Sequence, residues 1–138
     1  MKTTNNWLKD GFDILNPRKH PVSDEVLNNM RKLCEKLQQI QDSYGHQLVC
    51  NSGYRSPEEQ MKINPKAPNS WHTKGAAIDI SDKDNVLWFW LNQYSLGSRV
   101  DMSNIQALDV YLEDRSATPT WVHIQIYPPK SGKRIFKP

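Results

Sequence analysis

From position 26 onward the apolar residues Val26, Leu27, Met30, Leu33, Cys34, Leu37 and Ile40 return every three or four positions, with charged and amide residues between them. That spacing lays an apolar stripe along one face of a helix. Its ends are marked too. Ser23 can accept from the first free N–H groups, Asp24 and Glu25 suit the positive end of the helix dipole, and Gly45 permits the left-handed turn that stops it. A second helix starts at Ser56, where Pro57 takes the first helical position and Glu59 stands three residues after the serine, a capping box. Pro65 and Pro68 keep it short. Residues 85–96, NVLWFWLNQYSL, have the length and composition of a third helix, with Trp88, Phe89 and Trp90 suited to core and rim packing.

Period two marks the strands. Residues 47–50 and 76–80 read as strands, the first running into a turn at 51–53. Farther on, Leu108, Val110 and Leu112 share one parity and Val122, Ile124 and Ile126 another, with DRSATPT between them able to close a hairpin. If these apolar sets face the core, Asp109, Tyr111 and Glu113, and Trp121, His123 and Gln125, occupy the opposite faces. Residues 1–21 read as an irregular lead-in, because Pro17 and Pro21 prevent regular pairing. Helices with a small antiparallel sheet give an α+β fold, a single domain over residues 1–138 with a basic tail at 128–138.

Composition narrows this only a little. A chain of 138 residues has room for one core, and 37% hydrophobic with 24% charged residues fits a soluble globular protein. The net charge of +3 is scattered except for the tail, Lys130 to Lys137; a solvated surface accounts for it, and the functional alternative is attraction to a polyanion such as bacterial cell wall. No basic stripe interleaves with stacking aromatics, so nucleic acid is not an expected partner. The opening MKTTNNWLKDGF lacks the apolar stretch of a secretory signal, and no run approaches the roughly 18 apolar residues of a membrane span. The expectation is a monomer made in the cytoplasm without a signal peptide and without a membrane partner. Cys34 on an apolar helix face and Cys50 in a strand suit buried free thiols, and two isolated cysteines do not make a thiolate metal site.

Of four histidines, His20 precedes a proline in a loop and His46 sits at a helix-to-strand turn, both surface positions. His72 and His123 differ. In NSWHTKGAAIDI, residues 69–80, a tight turn over TKGAA would bring His72 and Asp79 together, with Gly75, Ala76 and Ala77 leaving space for backbone and metal. An outward-facing His123 would complete a set of two imidazoles and one carboxylate, the ligand set of a catalytic zinc that keeps its fourth position open. From the residues alone, Asp79 could equally cap a neighbouring turn, and iron, cobalt or manganese could occupy such a site.

Three spaced motifs sharpen the reading. SGYRS (52–56), SWHTKGAAIDI (70–80, of the form S-x-H-x-x-G-x-A-x-D) and WVHI (121–124) together resemble the zinc D-alanyl-D-alanine carboxypeptidase family. Its relatives include vancomycin-resistance dipeptidases, phage L-alanyl-D-glutamate endolysins and the hedgehog signalling domain. The likeness spans about residues 22–127. The resemblance implies that fold, one zinc ion held by His72, Asp79 and His123, an Arg55 that holds a substrate carboxylate or steadies the oxyanion, and a Ser70 that lines the site. It also implies hydrolysis of peptidoglycan peptides, of carboxypeptidase or endopeptidase type, and the small size resembles phage or prophage lysis enzymes that act on the cell wall.

One position departs from the family pattern. Many members carry an acidic residue or a histidine three positions before the last ligand, where this chain has Thr120, and threonine is no general base at neutral pH. Strand parity names Glu113 as the replacement, on the same face as His123, with Asp109 and Tyr111 as outside alternatives and Asp114 on the opposite parity or in the turn. Thr120 also motivates a second expectation, a non-catalytic zinc-binding or cell-wall or virion-binding module with the same fold.

Overall fold

The computed structural model describes residues 6–93 and 103–137. The expected long helix is α2, Asp24–Tyr44; Ser23 Oγ accepts from the Val26 N–H at 3.2 Å, and Gly45 closes the other end at φ +80°. It buries Met30, Leu33, Cys34, Leu37 and Ile40, the predicted stripe. Helix α3, Pro57–Ile63, has its capping box formed in both directions between Ser56 and Glu59. Helix α4 covers Val86–Asn92; Leu87 and Leu91 are buried, Trp88 and Trp90 pack at the rim, and Phe89 faces outward. The remainder of that predicted helix, residues 94–96, lies outside the described residues.

Five strands form one sheet: β1 (Cys50–Ser52), β2 (Ala77–Ser81), β3 (Tyr111–Glu113), β4 (Trp121–Gln125) and β5 (Ile135–Phe136), in spatial order β1-β2-β4-β3-β5. All neighbours are antiparallel except β3 and β5. Ile78 and Ile80 of β2, Val122 and Ile124 of β4, and Leu112 of β3 send their side chains into an apolar cluster shared with α2. The opposite face of the same strands is left for polar groups. Among the described residues no helix is long and apolar enough to cross a membrane.

Several expectations are corrected. The lead-in is not irregular: residues Trp7–Leu15 form a helix, α1, capped by Asn6 and packed on α2. Pro17 and Pro21 lie beyond its end and restrict nothing within it. Trp7 is fully buried, its indole N–H donating to Gln41 Oε1 at 3.1 Å, and a Cβ at Gly11 would fall 2.3 Å from Cys34 Sγ. The first strand begins later than expected, at Cys50, and continues through the residues read as a turn, with a bulge before Ser52. Leu108 ends a short helix, α5 (Asn104–Ala107), and Asp109 takes a left-handed turn at φ +56° with its carboxylate 3.0 Å from Arg134, so the third strand starts only at Tyr111 and Asp109 leaves the list of candidate bases. The basic tail is not wholly a solvated appendage, since it supplies β5.

Cys34 and Cys50 are free thiols, as expected, and burial pushes each up to about 12, so neither is a thiolate at neutral pH. Trp7→Ala should destabilise the protein by about 3 kcal/mol, because it opens a large cavity between α1 and α2. Urea denaturation of wild type and variant measures it; a difference below about 1 kcal/mol would mean that α1 is peripheral.

Candidate metal centre

The register of β2 and β4 sets Asp79 directly opposite His123. With Ile78 and Ile80 in the core, alternation sends Asp79 to the polar face, where its Oδ1 lies 3.0 Å from His123 Nδ1. His72 arrives from a 3-10 turn, Trp71–Lys74, just ahead of β2. Ser70 Oγ accepts from the His72 N–H at 3.3 Å to start the turn, and Gly75, at φ +71°, ends it by donating to the His72 carbonyl. The result is a His72 Nε2 to Asp79 Oδ1 separation of 3.3 Å. One ligand atom from each of His72, Asp79 and His123 falls within 4.8 Å of the others, the grouping the sequence suggested.

Gly75 serves a different purpose from the one expected. A Cβ on Gly75 would meet Met30 Cγ at 2.7 Å and the Val26 carbonyl at 2.9 Å. Space is needed there for helix α2, not for an ion.

Hydrogen bonds on the far side of each imidazole test whether the group suits a cation. His72 Nδ1 lies 2.7 Å from the Gly53 carbonyl, which can only accept, so Nδ1 carries the proton and Nε2 points its lone pair at Asp79. His123 Nε2 lies 2.8 Å from Gln125 Oε1, and the Gln125 amide is oriented by donation from Nε2 to the Tyr127 carbonyl. His123 therefore turns Nδ1 inward. Two inward nitrogens thus share one carboxylate oxygen. Burial pushes the His72 imidazolium down more strongly than Asp79 holds it up, leaving His72 neutral. Burial acts on His123 in the same sense, yet its bonds to Asp79 and Gln125 outweigh that and raise it. The Asp79 carboxyl is penalised by burial, but the bond from His123 holds it well below the usual carboxylate range. A proton on His123 satisfies one contact and leaves the lone pair of His72 facing carboxylate oxygen; a divalent cation satisfies all three at once. The residues fit zinc.

Three side chains surround the centre. Arg55 is less free than a substrate clamp would be: Nη2 donates to Asp79 Oδ2 at 3.1 Å, Nη1 to Gln60 Oε1 at 3.0 Å and Nε to Ser52 Oγ at 3.0 Å. Its first role is to orient the carboxylate ligand. Glu113, one residue beyond the Leu112 and Ile124 pair, brings Oε2 to 3.8 Å from His123 Nδ1, and burial, then the charge of Asp79, raise its carboxyl despite the opposing pull of His123. Phe136 of β5 sets its ring edge against His123, with centroids 6.1 Å apart. A cleft of about 330 Å³ opens here, and Arg55, Ser70, His72, Asp79, Glu113 and His123 all line it. Thr120 is exposed and does not line it, and His20 and His46 lie elsewhere.

Gln125, Gln60 and Phe136 were not singled out from the sequence. Gln125 had a legible signal, since it lies two residues after His123 on the same strand face. Phe136 had none, because a two-residue parallel pairing leaves no periodicity to read. Gln125→Leu should weaken zinc binding about 10- to 100-fold by freeing the His123 ring. Competition against a chelating dye measures this; affinity equal to wild type would show that Gln125 does not orient His123.

Comparison with known proteins adds an independent line. No curated protein and no solved structure matches the chain. A family model described as Peptidase M15 matches residues 1–112, which takes in α1, Arg55, His72 and Asp79 and stops short of Glu113 and His123. Most of the chain is covered, including the helices, the first two strands and two of the three candidate ligand positions, and the chain belongs to the peptidase M15 family of zinc-dependent enzymes.

Proposed function

We propose that the protein is a zinc metallopeptidase that hydrolyses peptide bonds of bacterial peptidoglycan, as a carboxypeptidase or an endopeptidase of the endolysin type. The observation that carries this reading is the convergence of His72, Asp79 and His123 beside a raised carboxyl group at the floor of an open cleft. Zinc held there would lower the pKa of a bound water toward 7 and polarise the scissile carbonyl. Glu113 would take the proton of the attacking water at Oε2 and return it to the leaving amine, a role its burial suits by bringing its pKa nearer to neutrality. Arg55 keeps Asp79 in place through one of its five N–H donors and uses two more on Gln60 and Ser52, so two remain for substrate oxygen. Ser70 lines the cleft while capping the turn that carries His72.

Glu113 also favours hydrolysis over the non-catalytic module that Thr120 suggested, because a carboxylate reaches the site from β3 instead of from the segment before His123. Purified protein loaded with zinc should release peptide products from peptidoglycan, detectable by mass spectrometry, and chelation should abolish release until zinc is restored. Tight cell-wall binding that survives chelation, with no product formed, would establish the binding-module reading instead.

A further inference from the structure

The cleft at the metal centre does not end at Ser70 and Trp71. Past them it runs into a second groove of about 650 Å³, and Ser70, Trp71, Gln125 and Phe136 line both. The far wall of that groove holds Lys66, on the loop after α3, and Lys130 and Lys137, on the two sides of the tail that forms β5. No aspartate or glutamate lines it. None of the three lysines makes an ion pair within 4.0 Å among the described residues. Asp114, whose carboxyl is held low by bonds from Ser116 and more weakly by the charge of Lys137, stands outside the groove. The lining of the metal centre mixes Arg55 with Asp79 and Glu113, whereas the groove beyond it carries basic side chains alone.

We infer that this groove is a subsite for the carboxylates of an acidic peptide whose scissile bond lies at the metal centre, with Lys66, Lys130 and Lys137 setting that preference. The inference rests on the peptidase reading and adds the substrate class. Charge complementarity selects an anionic occupant, and continuity with the hydrolytic centre selects a peptide. Trp71 and Phe136 give the backbone and aliphatic parts of such a peptide an apolar floor, while three cationic side chains that form no ion pair within 4.0 Å among the described residues can meet its carboxylates. The exposed positions of the lysines make the attraction dependent on ionic strength.

The experiment compares peptidoglycan stem peptides with free carboxylates against the same peptides with those carboxylates amidated. Binding is measured by calorimetry on the zinc-loaded Glu113→Gln protein, so that turnover does not intervene. The free-acid peptide should bind about tenfold more tightly than its amide, a preference that declines as salt is raised and is lost in the combined Lys66→Gln, Lys130→Gln, Lys137→Gln variant. Near-ultraviolet circular dichroism of that variant verifies its fold; were it misfolded, the three single substitutions would each be required to reduce the preference. Equal affinity for acid and amide, an undiminished preference in the lysine variants, or equally effective competition by an oligothymidylate of the same charge would each overturn the inference. Failure of the two readings is separable. Hydrolysis by wild type without any preference for acid removes the groove and leaves the peptidase, whereas charge-selective binding with no turnover does the reverse.

Discussion

Asp79→Ala is expected to lower zinc affinity by about 10³-fold and peptide hydrolysis by at least as much. The size of the effect follows from how many groups depend on one carboxylate. Its Oδ1 faces His72 at 3.3 Å and His123 at 3.0 Å, and its Oδ2 accepts from Arg55 at 3.1 Å. Removing it leaves the Arg55 guanidinium without its anion and takes away the only charged ligand of the proposed set, so that two imidazoles face each other with ring centroids 5.1 Å apart. Asp79→Asn separates charge from shape: the amide still fits between the strands, yet it cannot neutralise a divalent ion, and most of the loss should persist. Elemental analysis of dialysed protein and turnover at fixed free zinc measure both quantities. Stoichiometric zinc in the alanine variant would show that the ion sits elsewhere.

Glu113→Gln should lower kcat by roughly 10²- to 10⁴-fold while zinc remains bound. Glutamine keeps the size and hydrogen-bonding capacity of the side chain and removes only its ability to accept a proton as a base. The pH dependence gives a second readout. A general base works when deprotonated, so kcat/KM should rise as pH increases through the pKa of Glu113. Burial first, and the charge of Asp79 second, set that pKa above the ordinary glutamate value, moving the acid limb toward neutrality. In the glutamine variant the residual activity should lose this limb. A variant as active as wild type would return the search for a base to groups outside β3.

The sequence made the ligand set legible because two kinds of regularity met there. Strand parity assigns His123 and Glu113 to one face, and the β3 and β4 pairing places them as parity requires. The S-x-H-x-x-G-x-A-x-D spacing added His72 and Asp79, whose convergence needs only a single 3-10 turn and a left-handed glycine. The role of Gly75 was not legible, because the atoms it must avoid belong to α2, more than forty positions earlier. Helix α1 was missed for a different reason. Trp7, Gly11, Ile14 and Leu15 carry helical spacing, but the nearby prolines mask it although they act only after the helix has ended. The orienting bond to Gly53 was invisible because a backbone carbonyl that fixes a ring nitrogen leaves no pattern in composition or period, whereas Gln125 shares a strand face with His123 and could be read.

Asp79 and His123 are cross-strand neighbours on β2 and β4, each flanked by a further strand, rather than residues of mobile loops. Their backbone amides should therefore exchange with deuterium only when the sheet itself comes apart, and escape of a bound ion should be tied to that same rare opening. A centre built this way would hold a bound metal kinetically as well as by affinity. Brief exposure to a chelator at moderate temperature should strip it slowly, and faster once urea approaches the unfolding midpoint.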